Sequence, residues 1–459
     1  MKYWKLDLPH TPALDLARQM LEDCLKAYEV PAEGESEACR IVCAVAPDPA
    51  LPPEGYRMRI HTEGPAQVVE ITAATDVSVF YGVSDFVNLL VPEAEQTHTW
   101  MKPYYFRNPF QEGFEDIDGV YAPKVRRRGL WTWGYVIYDY RRYLANMARL
   151  KLNELVIWND FAPLYAAEVV ACAHQLGIRV ILGYAWGWDT SINVCLSDEA
   201  LLSRLANEAV ERFEQEYAAL PGDGIYFQSF TETTEQELDG RAIADVVVPW
   251  VNGICARILE KRPELELQFG LHATSVVQKL DRIAQIDPRV RIVWEDCGAF
   301  PYTYLAEDVA HVKEAEALTR QIAHLREHGA TGIVTKGMIC LDWTDFVHRR
   351  CPERIGECSA EQITARLPMA RRVMRLAQSY WLQNGSHLQS VVRLLSEGDP
   401  GCQILALMED GLFEAAIWLP TALFAATLWD FEIPFSQLLA ETAQRPDVVF
   451  ANAPASCPL

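Results

Sequence analysis

The stretch Glu154-Leu-Val-Ile-Trp-Asn-Asp160, followed by a helix-forming segment and then by Arg179-Val-Ile-Leu-Gly-Tyr184, decides the reading of this 459-residue chain. Each run is short, apolar and β-branched, as in a strand buried on both faces, and the amphipathic segment between them is long enough for a crossover helix. Alternation of that kind builds a parallel sheet. Outward from this pair the rhythm starts at Val125 and continues through runs at 127–133, 154–158, 179–184, 224–230, 266–271, 289–294, 332–335 and 403–408. Seven helical segments fall between these runs and residues 413–428 supply another, so the count closes a (β/α)8 TIM barrel.

The chain is longer than the roughly 250 to 300 residues that one core supports, which calls for a second domain. Upstream of the barrel lie an apolar run at 40–45, the alternating stretch Gly55-Tyr-Arg-Met-Arg-Ile-His61, a third run at 68–72 and helical spacing over 77–90. The expected division is a small N-terminal α/β domain with its linker over 1–122 and a barrel over 123–432. A helical insertion at about 342–400 interrupts the barrel, and a C-terminal helix and tail follow over 433–459. Residues 100–122, rich in aromatics, Pro, Gly and Asp without period, read as the linker.

Half the residues are hydrophobic and 23% are charged, the proportions of a folded globular chain. The net charge of −22 repels polyphosphate, so nucleic acid is not an expected partner. The first twenty residues lack the apolar core of a signal peptide, and the most apolar stretch, 412–428, is broken by Glu414 and Pro420. Neither secretion nor a membrane span is expected. Twelve cysteines without a CxxC pair read as reduced thiols of a cytoplasmic protein. No cofactor is expected, since GxGxxG after a strand, GxxxxGK and paired histidines at a strand end are all missing. Oligomeric state is open, a homo-oligomer included.

In a barrel of this kind the reacting groups come from the C-terminal ends of the strands. The exits here carry Arg128 and Trp133; Asn159 and Asp160; Trp186 and Trp188; Gln228 and Glu232; His272; Glu295 and Asp296; Lys336; and Glu409 with Asp410. Tyr302 and Trp343 follow in the loops. Carboxylates placed directly after apolar strand residues are costly unless they face a wet cleft, although single acids at strand ends are as often caps or salt-bridge partners. Aromatic planes at the same ends suit the C–H faces of sugar rings. For Trp158 and Trp294, inside their strands, a core role is equally expected; the Gly-punctuated run 183–189 reads as facing a ligand.

Glycosidic hydrolysis needs a carboxylic acid to protonate the leaving oxygen and a second carboxylate as base or nucleophile. Glu232 is the candidate acid, and Glu295 or Asp296 the candidate partner. Glu409 is weaker, because Asp410 beside it would serve as a helix cap. The other candidates, Arg128, Trp133, Asn159, Asp160, Trp186, Trp188, Gln228, His272, Tyr302, Lys336, Trp343 and Glu409, are assigned to binding an oligosaccharide or glycoside.

Three stretches resemble the barrel glycosidases related to the β-N-acetylhexosaminidases and xylan α-glucuronidases. They are Gly55 to Ile60 with 69–73 and 79–90; Arg128-Gly129 with 140–153 and Trp158-Asn-Asp160; and Gly224-Ile-Tyr-Phe-Gln-Ser-Phe-Thr-Glu232. The resemblance implies the small N-terminal domain, a sugar contact for Arg128 and an acid at Glu232. Where the hexosaminidases carry adjacent Asp and Glu at the fourth exit, this chain has Phe230-Thr-Glu-Thr233. It is therefore the α-glucuronidase arrangement that the resemblance implies, with a sixth-strand base and with Lys336 or Arg128 meeting an acidic sugar. Two rival readings are a non-catalytic sugar-binding barrel and a lyase forming a Schiff base on Lys336.

Overall fold

The structure, a computed structural model, describes residues 2–34, 38–95, 107–134, 137–159, 165–187, 194–231, 233, 235–271, 275–295, 312–326, 331–335, 360–408 and 412–452. Its N-terminal part is a five-stranded sheet. The strands are β1 (Trp4–Asp7), β2 (Cys39–Val45), β3 (Tyr56–Glu63), β4 (Ala66–Ala73) and β5 (Ile117–Tyr121), in the order β1-β2-β4-β3-β5. Two helices pack on it, α1 (Pro12–Ala27) and α2 (Asp76–Asp85). Both begin on a threonine whose hydroxyl accepts a backbone N–H of the first turn, Thr11 from Leu14 and Thr75 from Ser78.

The barrel strands are β6 (Arg127–Trp133), β7 (Glu154–Trp158), β8 (Arg179–Ala185), β9 (Gly224–Gln228), β10 (Glu266–Leu271), β11 (Val290–Glu295), β12 (Thr331–Thr335) and β13 (Gln403–Leu407). All pair in parallel and the sheet closes on itself, β13 bonding to β6. The expected (β/α)8 barrel behind a small α/β domain is what the chain adopts. Around it run α3 (Tyr140–Arg149), α4 (Ala166–Gln175), α5 (Glu199–Arg212), α6 (Ile243–Lys261), α7 (Val312–Ala323), α8 (Ala360–Gly398) and α9 (Leu419–Trp429), with α10 (Phe435–Gln444) after them. Helix α8 is 39 residues long.

Alternation along each strand sorts side chains into two sets. Trp131, Val156, Trp158, Ile181, Tyr226, Val293, Val334, Leu405 and Leu407 fill the lumen and form a cluster of their own. Their neighbours in sequence face the helices and join the main core. At the N-terminal end the lumen is closed by ions. Glu266 accepts from Arg127 at 2.7 Å, from Arg179 at 2.9 Å and from Arg291 at 3.2 Å. Glu154, fully buried, meets Arg127, while Gln268 donates to Glu266 at 3.0 Å and Gln403 to Gln268 at 3.0 Å. Burial alone would raise the Glu266 carboxyl, but Arg127, with Arg291 and Arg179 behind it, pulls it down to about 2.

The same end of the barrel rests on the small domain. Lys151, at positive φ, places its ammonium on Asp85, which also accepts from the Tyr56 hydroxyl at 2.5 Å. Burial lowers the Lys151 pKa and the Asp85 charge partly restores it. Asn153 donates to Glu54 at 2.9 Å, and Trp429 stacks near Tyr56.

Candidate active site

Arg128 belongs to that base, which corrects its expected place at the sugar. It stands at the start of β6, 1% exposed, and its guanidinium donates to the carbonyl oxygens of Lys151, Val125 and Arg126. Glu54 lies 2.6 Å away, and the Trp429 and Tyr81 rings flank it at 5.5 and 5.8 Å. It lies five positions before the strand exit at Trp133, so the side chain opens on the wrong end of the barrel. Trp186 is a second correction. The inward positions of β8 are 181, 183 and 185, so the next residue turns outward; its ring lies flat on Phe227 at 3.6 Å, fully buried in the helix-facing core. Trp294 faces the same layer.

At the opposite, C-terminal end of the lumen, three inward side chains meet. Glu295 is the last residue of β11 and only 3% exposed. Its Oε1 accepts from the Tyr226 hydroxyl at 2.8 Å and from the Gln228 amide at 2.5 Å. Tyr226 and Gln228 sit two apart on β9, so both point inward and both reach across to β11. Two donors converging on one oxygen favour the ionised carboxylate and fix its direction.

Indoles pack on the ring of Tyr226, which donates to this carboxylate. Trp131 and Trp158 stack at 5.9 Å with 24° between planes; Trp133 meets both edge-on, at 5.6 and 6.1 Å. Tyr226 closes the group edge-on to Trp131 at 6.0 Å. The indole N–H groups of Trp131 and Trp158 are buried with no hydrogen-bond partner among the described residues. Trp133 is the half-buried member, nearest the opening.

Two glycines make this packing possible. A Cβ at Gly270, an inward position of β10, would stand 2.6 Å from the Tyr226 ring; one at Gly183 would stand 2.8 Å from Trp158. Real Cβ atoms do not come so close, so the large rings cross the lumen only because these positions are empty. Gly270→Ala is expected to push Tyr226 off Glu295 and to lower stability by about 1 to 3 kcal/mol, the range for an overfilled core. Urea unfolding measures this, and a loss below about 0.5 kcal/mol would mean the ring has room to spare.

Of the residues singled out in the sequence, the structure joins Gln228 to Glu295 and places Trp133 among the indoles of the same lumen end. Asn159 is buried at the exit of β7, its backbone N–H bonded to Gly183 at 3.1 Å. Asp160, Trp188, Glu232, His272, Asp296, Tyr302, Lys336, Trp343 and Glu409 lie outside the described residues. Tyr226 was missed, although its spacing from Gln228 marks it as an inward residue of the same strand. Among the described residues no group of three or more His, Cys, Asp or Glu is placed to hold a metal ion, and no helix is long and apolar enough to cross a membrane. Cysteines 24, 39, 43, 172, 195, 255 and 402 are free thiols.

No family model and no curated protein matches the chain. Solved structures resemble it over most of its length. A GH138 enzyme targeting pectin rhamnogalacturonan II matches 97% of this chain at 13% identity and a TM-score of 0.47. A family 89 glycoside hydrolase from Clostridium perfringens, in complex with 2-acetamido-1,2-dideoxynojirmycin, matches 97% at 9% identity and 0.44. An exo-β-1,4-mannosidase from Opitutaceae bacterium strain TAV5 matches 68% at 12% identity and 0.36. These structural neighbours are glycoside hydrolases. The chain spans about half the length of the first two, 51% and 53%, and 60% of the mannosidase.

Proposed function

We propose that this protein hydrolyses the terminal glycosidic bond of an oligosaccharide or glycoside at the C-terminal mouth of its barrel. The observation that carries the reading is Glu295. It is a buried carboxylate at a strand exit, aimed into the lumen and held by two donors, one of them a tyrosine packed among indoles. Tyr226 and Gln228 both donate to its Oε1, one a phenol and the other an amide, and so hold it facing the lumen. Those donors keep the carboxylate correctly aimed, which suits a group that must act as base or nucleophile toward an anomeric carbon or a water beside it.

In this reading Glu232, four residues past the end of β9, protonates the leaving oxygen, and Asp296 is the alternative to Glu295. Trp133 and Gln228 line the sugar subsite; Asn159, Asp160, Trp188, His272, Tyr302, Lys336, Trp343 and Glu409 are proposed with them. Arg128 and Trp186 are not, because both are committed elsewhere. The finer kinship, to the xylan α-glucuronidases with their acidic sugars, rests on the residue stretches quoted above.

A panel of aryl glycosides tests the reading. Turnover of at least one is expected, and Glu232→Gln should slow poor leaving groups by roughly 10²-fold or more while sparing dinitrophenyl glycosides, which need little protonation. Equal slowing of both classes would remove Glu232 from the acid's role. A chain that binds sugars but turns over none of the panel would be a binding barrel instead.

A further inference from the structure

Outside the barrel, α3, α8 and residues 446–450 enclose a depression of about 550 Å³. Arg142 and Arg149 of α3 are seven residues apart, hence on one helix face about two turns from each other, with the short Ala145 between them as floor. Arg371 of α8 lines the same depression, which adjoins a second hollow of about 510 Å³ where Arg371 is joined by Arg372 and Arg375.

The carboxylates on the rim are already engaged. Asp447 takes both arms of Arg445, at 2.9 and 2.8 Å. Glu414 accepts the Tyr138 backbone N–H at 3.1 Å and has Arg366 at 3.8 Å, and burial pushes its carboxyl above the ordinary range, toward the uncharged form. Meanwhile the guanidinium of Arg142 has no ion-pair partner among the described residues. Arg149 reaches only Asn146 at 3.4 Å, and its Nε is buried without a hydrogen-bond partner there. Elsewhere arginines are met, as Arg57 is by Asp118 and Arg289 by Asp287. In a chain of net charge −22, two guanidinium groups on one helix face with no carboxylate partner among the described residues are the exception.

We infer that this depression binds a soluble small molecule bearing a phosphate or sulfate ester, its oxyanion gripped by Arg142 and Arg149. Guanidinium forks match a tetrahedral oxyanion by paired N–H donors, and the partly exposed Phe450 in the lining offers an apolar wall for the rest of the ligand. The site is independent of the glycosidase reading.

Isothermal titration of the full chain at low ionic strength, with sodium pyrophosphate and sodium sulfate as probes, tests it. Saturable binding of at least one probe near one per chain is expected. Arg142→Gln and Arg149→Gln should each weaken that binding roughly tenfold or more, whereas Arg204→Gln on α5, paired with Glu208, should leave it unchanged. The exposed Arg142 keeps the test sound if the half-buried Arg149 variant folds poorly. Tighter pyrophosphate points to a phosphate ester and tighter sulfate to a sulfate ester. Heats that never saturate, or equal affinity in wild type and both depression variants, would overturn the inference.

Discussion

Glu295→Gln is expected to lower kcat/KM on an aryl glycoside on the order of 10³-fold, about 4 kcal/mol of transition-state stabilisation, with little change in thermal stability. The replacement keeps the shape of the side chain and an oxygen for Tyr226 and Gln228 to donate to, so the lumen stays packed while the charge is lost. Glu295→Ala opens a space where azide can take the place of the carboxylate, and rescue as a glycosyl azide would identify Glu295 as nucleophile or base. Full activity in both variants, with loss in Asp296→Ala, would transfer the role one residue along; rescue confined to Glu409→Ala would transfer it to the eighth exit.

The largest expected effect on stability lies at the other end of the barrel. Glu266→Gln removes the charge that Arg127, Arg179 and Arg291 share, leaving cations close-packed where water reaches poorly. Breaking such a buried arrangement costs about 3 to 5 kcal/mol, measurable by urea unfolding at neutral pH. The acid side gives an independent check. The folded-state pKa of Glu266 is about 2 against an ordinary 4.5, so its contribution is complete above 4.5 and is lost as pH falls toward 2. Wild type should therefore lose stability more steeply than Glu266→Gln across that window. A neutral-pH loss under about 1 kcal/mol, with parallel acid limbs, would show that the arginines are adequately solvated without it.

The barrel was legible because its eight strands are dense apolar runs bounded by polar residues. Six of them, β6, β7, β8, β9, β10 and β13, begin where the sequence placed them. Strand β5 was not, since Ile-Asp-Gly-Val-Tyr mixes Asp and Gly into an exposed edge that makes no apolar alternation and reads as linker. Within the candidate site, residue type was readable but direction was not. Arg128 and Trp186 have the chemistry of a sugar subsite, yet one sits at the wrong end of its strand and the other on its outer face. Counting in twos from Trp131 and Ile181 would have separated them from Trp133 and Glu295. Tyr226 was hidden for a different reason: its access to Glu295 depends on the empty position at Gly270, a neighbour only once β9 and β10 are paired.

The ion pairs beneath the barrel also bear on the order in which the chain can settle. A ribosome releases Glu54 and Asp85 well before their cationic partners Arg128 and Lys151, which reside in the first strand of the barrel and the turn into the second. Until that unit emerges, both carboxylates lack the cations that meet them in the folded chain. The charges that join the two parts of the molecule are therefore all present only once synthesis has passed residue 151.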